Sequence, residues 1–579
     1  MNSIEHFGKV ISTDILIVGH GISGLSAAIT AKEKNPALKV LAVDKACVGF
    51  GGKANKGGGH ISYIPEGAEE TYVEYHTRNL GDYLNNQDRL RRYAHSTVKT
   101  LDKWESWGVS FRARDDAFQA HPIIPWKMFV VDLDMLIPMA KHARQAGVEF
   151  MEKVAIVDLL TDGDQVCGAI GFDLVTAEIL VFKAKAVVLA NGNQNWRVMR
   201  MWSSSRGEGI ATAWRAGARM RGAEFGSFVN MISVEHFQVS YGSENAMFNA
   251  KGEFMDDRAD LDGNLKDTFG GADLGGTQSI SMYKQVAAGN GPIFEDTEKN
   301  DYPSTPQGMN IVPEVGRAAD NWFRPFAHKW WHLLWEKNKM GGYKTSSKMK
   351  EVAPGFIGEF GPVNVDDNWM TNIKGLFASG DICAGGIQIF GAVPAPPGRN
   401  RGSGLIAAVY HGIHAGPAAA DYVTGLEKPG QIDPVQLQAL QEDMLVPLYR
   451  SQGVTAAELT WKIQCIMTPV PNSALKREDR LKAALAETLA LKAELPKLVA
   501  SDGHSLSACI ETKAMVLCAE MFFRASLERK ETRGWHIRED FPSRDDSANP
   551  YWVDLENVGG EMAVSRTEVP LNHYVYQPG

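Results

Sequence analysis

No C-x-x-C pair occurs in this chain, although it has six cysteines, at Cys47, Cys167, Cys383, Cys465, Cys509 and Cys518. Without paired spacing it offers none of the common zinc or iron–sulfur ligand sets. Without C-x-x-C-H it offers no c-type haem attachment. The thiols read as scattered cytosolic residues, and no metal is implied. Long apolar runs are missing as well: no stretch approaches about 18 uninterrupted apolar residues, so no membrane span is expected. A basic excess is also lacking. Sixty Lys and Arg stand against 69 Asp and Glu, for a net charge of −9. That balance argues against a nucleic-acid partner, because phosphate binding needs a basic surface. Residues 1–9 are polar and show no signal peptide, so the chain reads as cytoplasmic. There is no internal repeat and no low-complexity tract.

What is present is ordinary for a folded protein, with 44% apolar and 22% charged residues. A chain of 579 residues is too long for one core, so two or three domains are expected. Residues 13–18 are apolar and β-branched and read as a buried parallel strand. A glycine-rich turn follows, then a helix over 25–34 closed by Pro36, then a short strand over 39–43. Residues 80–107 and 132–146 read as helical, and 149–190 as several strands with a turn at Asp162-Gly163. From 237 to 352 Gly, Asp, Asn and aromatic residues dominate. Residues 434–527 show helical spacing, and the last 50 residues show little periodicity.

Gly19-His20-Gly21-Ile22-Ser23-Gly24 is a G-x-G-x-x-G with a strand before it and a helix after it, and Asp44 lies 20 residues past Gly24. In such a unit Gly19 makes the tight turn, Gly21 admits a pyrophosphate and Gly24 lets helix and strand pack. The helix start, with Ser23, offers N–H groups to phosphates. Asp44, with Lys45 beside it, would meet the adenosine ribose. Three later segments favour a flavin dinucleotide over a nicotinamide one. They are a second glycine loop with Gly51, Gly52, Gly57 and Gly58; the strand end Ala190-Asn191-Gly192; and Gly380-Asp381, followed by a turn into a helix at Ser403-Gly404-Leu405.

Together these segments resemble the FAD-dependent flavoprotein subunits of fumarate reductase, succinate dehydrogenase and adenylylsulfate reductase. Val187-Val188-Leu189-Ala190-Asn191-Gly192 is similar to that family's strand ending in Ala-Thr-Gly, and Gly207-Glu208-Gly209 to its G-x-G segment. Gly289-Asn290-Gly291-Pro292-Ile293 resembles a G-R-G-P-I turn. Residues 524–542, R-A-S-L-E-R-K-E-T-R-G-W-H-I-R-E-D-F-P, resemble its C-terminal motif and are the most specific match. The resemblance implies FAD, with Asp381 as the acid that holds the ribityl chain. Covalent attachment in the family depends on a His before the second glycine loop. Gly49-Phe50-Gly51-Gly52 has none, so noncovalent FAD is expected. The resemblance also implies, as partner, a separate iron–sulfur, ferredoxin-like subunit.

The substrate side departs from the family. Arg399 aligns with the substrate Arg of H-G-x-N-R-L-G-G-N-S-L, but Pro396-Pro397 replaces the His. A guanidinium there suits an anionic substrate, since it forks onto carboxylate or sulfate. The family's proton-donor Arg falls on Gly275-Gly276, and the His of H-x-x-x-G-G is absent from 356–365. His236, His328 and Arg401 are then the candidates for acid catalysis, beside Arg399. Arg324, His328 and His332 recur at spacings of four near Trp331 and Trp335, as one face of a helix would.

The expected fold is α/β: a Rossmann-type FAD-binding domain with an inserted α+β capping (substrate) domain and a C-terminal helical domain. The expected bounds are 1–236 and 353–428 for the two parts of the FAD-binding domain and 237–352 for the cap. Residues 429–530 would be helical and 531–579 a C-terminal extension. The expected activity is two-electron oxidation or reduction of a small anionic substrate, with electrons exchanged with a separate carrier. An electron-transfer flavoprotein subunit with no substrate of its own is the alternative.

Overall fold

The computed structural model describes residues 4–55, 60–111, 114, 117–119, 127–131, 134–197, 206–225, 229–234, 238–239, 247–253, 275–296, 349–356, 360–384, 403–534 and 536–578. Its centre is a five-stranded parallel sheet. The strands are β1 (Ile15–Val18), β2 (Val40–Asp44), β3 (Glu149–Glu152), β4 (Ala186–Leu189) and β5 (Leu376–Ala378). Their spatial order is β5-β4-β1-β2-β3. β1 and β4 are buried along their whole length, which is why they read as unbroken apolar runs. Each fully buried Ile or Leu contributes about 1.5–3 kcal/mol, so the fixed register follows from side-chain packing on both faces.

Helix α1 (Ile22–Lys34) crosses from β1 to β2 and packs on α2 (Ser403–Thr424). The two approach closely because α2 presents glycine: a Cβ on Gly412 would lie 2.4 Å from Ser26 Cβ, and one on Gly416 2.2 Å from Ala27 O. A second sheet, Lys9–Ser12, Ile179–Lys183, Gln165–Asp173 and Val154–Asp162 in that order, flanks the first. Its tight turn holds Gly163 and Asp164 between the paired Asp162 and Gln165, one residue beyond the expected place. An antiparallel sheet joins Gln238–Val239, Val229–Ser233, Met349–Phe356, Ile293–Asp296 and Met247–Phe248.

The helical region ends in α3 (Gly503–Glu528), opened by a capping box between Asp502 and Ser505. Two departures from the sequence reading stand out. Residues 80–107 are not one helix: Gln87–Ala94 and Thr97–Ser106 are separated at His95 and Ser96. The last 50 residues contain a regular hairpin, Tyr551–Val558 with Glu561–Glu568, turning on Gly559-Gly560. Its second strand is largely exposed and polar, so it carries no strong apolar alternation. Among the described residues no helix is long and apolar enough to cross a membrane.

Candidate cofactor site

The first glycine loop leaves β1 and enters α1 through a turn that excludes side chains. Gly19 has φ +95°, and a Cβ there would lie 2.7 Å from Ala190 O. A Cβ on Gly24 would lie 1.8 Å from Gly19 O, so this contact between helix and strand demands glycine. Gly21 faces the second loop, where its Cβ would meet Gly52 Cα at 3.6 Å. Thus Gly19, Gly21, Gly24, Gly52 and the Ala190–Asn191 strand end, far apart in sequence, form one cradle of backbone. Gly51 joins them: a Cβ there would lie 3.0 Å from Asp44 Oδ2.

Asp44 ends β2 and closes the cradle. Its Oδ2 accepts the His20 N–H at 2.9 Å and its Oδ1 the Ala46 N–H at 2.9 Å. A carboxylate has about four lone-pair positions, so acceptor capacity remains for a sugar hydroxyl. Lys45 is spent elsewhere. It pairs with Glu208 and, at 2.7 Å, with Glu511, which Arg206 also contacts at 3.2 Å. Burial disfavours the Lys45 ammonium, but the two carboxylates outweigh it and raise its pKa.

The third segment arrives beside the first. Ser379 N–H donates to Leu189 O at 2.9 Å, and the Ser379 and Ser23 hydroxyls lie 2.6 Å apart. Gly380 has φ +83°, with space for a Cβ blocked by Ser23 Cβ at 2.8 Å. Asp381 follows. Burial raises its pKa, and Lys53 of the second glycine loop, whose Nζ lies 3.7 Å from Asp381 Oδ2, opposes that shift. Ser403, Gly404 and Leu405 form the first turn of α2, as expected.

Several buried polar atoms around this cradle have no hydrogen-bond partner among the described residues. They are Nε2 of His20, whose Nδ1 lies 3.6 Å from Asp44 Oδ2, Oδ1 of Asn55, Oδ1 of Asn191, and Oδ1 and Nδ2 of Asn193. Buried polar groups are rarely left unmatched in a folded protein, because each costs about 1–3 kcal/mol. A backbone cradle built on Gly19 and Gly24, where only glycine fits, rimmed by unmatched polar atoms and an acid at the end of β2, suits a dinucleotide with its pyrophosphate and sugars.

Sequence reading missed His20, Asn55, Asn193, Lys53 and Ser379. Ser379 meets Ser23 across 356 residues, a separation that no spacing rule reaches. Gly57, Gly58, Arg399, Arg401, His236 and His328 lie outside the described residues, as do Arg324 and His332. Gly275-Gly276, where the family's proton-donor Arg would fall, open the helix Gly275–Ala287. Among the described residues no cluster of His, Cys, Asp or Glu could hold a metal ion.

Fold and cradle define a Rossmann-type dinucleotide-binding protein. Residues 14–232 match the family model of the FAD binding domain, and residues 466–578 that of the fumarate reductase flavoprotein C-term. A chain of the CoM/CoB fumarate reductase from Methanothermobacter marburgensis is 24% identical, over 94% of this chain and 96% of its own. An L-aspartate oxidase from Streptomyces coelicolor is 24% identical, over 97% and 95%. The adenylylsulfate reductase of Archaeoglobus fulgidus superposes with a TM-score of 0.76 at 23% identity, covering 98% of this chain and 97% of that one. The chain thus carries both domains of these family models and is similar along nearly its whole length to FAD-dependent flavoproteins of the fumarate reductase kind. It is accordingly an FAD-dependent oxidoreductase.

Proposed function

We propose that this protein carries out two-electron oxidation or reduction of a small anionic substrate and exchanges electrons with a separate carrier, such as an iron–sulfur, ferredoxin-like subunit. The observation that supports it best is the glycine cradle with its unmatched buried polar atoms. FAD, when bound, supplies the redox chemistry, while the protein sets orientation and local charge. Gly19, Gly21, Gly24 and the second loop would hold the pyrophosphate, Asp44 the adenosine ribose, and Asp381 the ribityl chain. The first turn of α2 would offer unpaired N–H groups and the positive end of a helix dipole to the flavin. Arg399 would fork onto the substrate's carboxylate or sulfate, with Arg401, His236 and His328 as candidates for proton delivery.

Two features of this site are testable directly. FAD is held noncovalently, because Gly49-Phe50-Gly51-Gly52 contains no His of the kind that attaches it in the family. Acid precipitation should release all yellow colour to the supernatant; colour left on the washed pellet would refute this. Fumarate is reduced poorly, because the position of the proton-donor Arg is Gly275-Gly276 at the head of a helix. General-acid delivery typically contributes 10²–10⁴-fold. Reoxidation of the dye-reduced enzyme by fumarate should therefore trail a fumarate reductase control by about that factor. Comparable rates would overturn the reading. The same replaced position favours a second reading, an electron-transfer subunit with no substrate of its own. Failure of every small acid in a reoxidation screen, with ready electron exchange to a ferredoxin, would select it.

A further inference from the structure

Helix α2 touches the cofactor cradle a second time, two turns beyond its own start. His411 is buried, and its Nδ1 accepts the N–H of Gly380 at 3.2 Å. Gly380 lies directly before Asp381 and is pinned on its other side by Ser23 of α1. The segment 379–381 is therefore clamped between the helix that carries the fingerprint and the helix whose first turn is assigned to the flavin. The clamp is rigid for a local reason. A Cβ on Gly412, the neighbour of His411, would lie 2.6 Å from Ser23 O, so the helices cannot slide apart without losing this fit. Trp369 fixes the ring: it packs edge-on to His411 at 5.5 Å and stacks on His414 at 5.1 Å and 10°. The backbone of Trp369 is tied to the same strand, since its carbonyl accepts the Ala378 N–H at 3.0 Å.

The hydrogen bond also sets the protonation state. A ring that accepts at Nδ1 carries its hydrogen on Nε2, and a charged ring would turn one N–H against another. Burial first, then His414 and Arg89, push the pKa of His411 down to about 3. His411 is thus unfit as an acid or base at neutral pH and suited to be a fixed acceptor.

We propose that His411 is a positioning residue for FAD: through the Gly380 amide it sets the direction of the Asp381 carboxylate and so the seat of the cofactor. This rests on the reading of the cradle as the FAD site and adds a residue that no motif marks. The test compares H411F, which keeps a ring but has no acceptor, with H411N, whose Oδ1 can reach where Nδ1 was. FAD is titrated into the apoprotein, and the flavin midpoint potential is measured in each refilled variant. H411F should weaken FAD binding tenfold or more and shift the potential, and H411N should restore both to within about threefold of wild type. Adding D381N to H411F should then cost little beyond D381N alone, because both act through one carboxylate. Equal losses in H411F and H411N, or an unchanged affinity and potential in H411F, would overturn the inference alone. A wild-type apoprotein that takes up no FAD would overturn the cradle reading and the inference with it.

Discussion

Around Gly19 and Gly24 the chain removes side chains; around Arg529 and Arg538 it crowds them. In the cradle the lining groups are backbone amides and a few polar atoms without hydrogen-bond partners among the described residues. In the C-terminal motif every guanidinium is matched from within. Arg529, fully buried, donates to Glu224 at 2.9 Å, Glu531 at 2.8 Å and Tyr551 O at 2.7 Å. Arg533 bonds Glu531 and Asp82 O, and Arg538 forks onto Asp540. His536 is held between the Lys476 ammonium at 3.2 Å and the Arg529 carbonyl at 3.0 Å. Both regions are buried and polar; in the second the guanidinium groups are all engaged, although Glu224 Oε2 and Ser526 Oγ have no hydrogen-bond partner among the described residues. The second joins α3, the segment near Asp82 and the terminal hairpin into one body. The most specific sequence match in the chain is thus an internal weld, while the weaker glycine pattern marks a backbone cradle.

The sharpest way to break this contrast is R529M. Removing one partner of a buried ion pair leaves charge uncompensated and costs about 3–5 kcal/mol. Denaturant unfolding should show a loss of that size, and the folded fraction should still bind FAD with unchanged affinity. Lost affinity at full folding would place the motif in the cofactor site. Pairing R529M with E224L should recover part of the stability, because a buried apolar pair avoids the desolvation of both charges. Next in size, G24A should weaken FAD binding by about 100-fold, roughly 2.7 kcal/mol, since its methyl overlaps Gly19 O. Equilibrium titration checks it, and near-normal affinity would mean that the loop tolerates a shifted helix.

A smaller effect separates burial from charge. His411 has a folded pKa of about 3, well below the ordinary value of 6.5 in the unfolded chain. Between those values the unfolded state binds the extra proton, so stability falls as pH falls through this window. Wild type should therefore lose about 2 kcal/mol more than H411N between pH 7 and pH 5. Parallel losses would mean that the ring stays neutral for no energetic reason. The smallest expected change is D44N, which keeps one acceptor of two; FAD affinity should drop about tenfold, roughly 1.4 kcal/mol.

The strand, glycine turn, helix and second strand were legible because each signal is local: apolar run, glycine spacing, closing proline, acid at the end of β2. The same holds for the start of α2 at Ser403. The hairpin 551–568 escaped because its outer strand alternates no apolar face, although Gly559-Gly560 was there to be read as a two-residue turn. His411 and Ser379 were not legible at all. Each gains its role from a partner brought near by the sheet, and a buried histidine on an apolar helix looks like any other core residue. Lys45 shows the converse: adjacent to Asp44, it is drawn off by Glu208 and Glu511.

The order of strands has a consequence for biosynthesis. β4 lies between β1 and β5, and β5 belongs to residues 376–378, long after the rest of its sheet has left the ribosome. At about 5–20 residues per second, the interval between the fingerprint and its Ser379 contact lasts on the order of 20–70 s. From its own emergence until β5 follows, on the order of 10–40 s at that rate, Ala186–Leu189 presents an unpaired apolar strand edge on that side, the kind of edge that recruits other chains. Chains cut before residue 376 should therefore accumulate as insoluble material, and chains extended through α2 should not. The glycine cradle is completed late in translation, only once residues 376–381 have emerged.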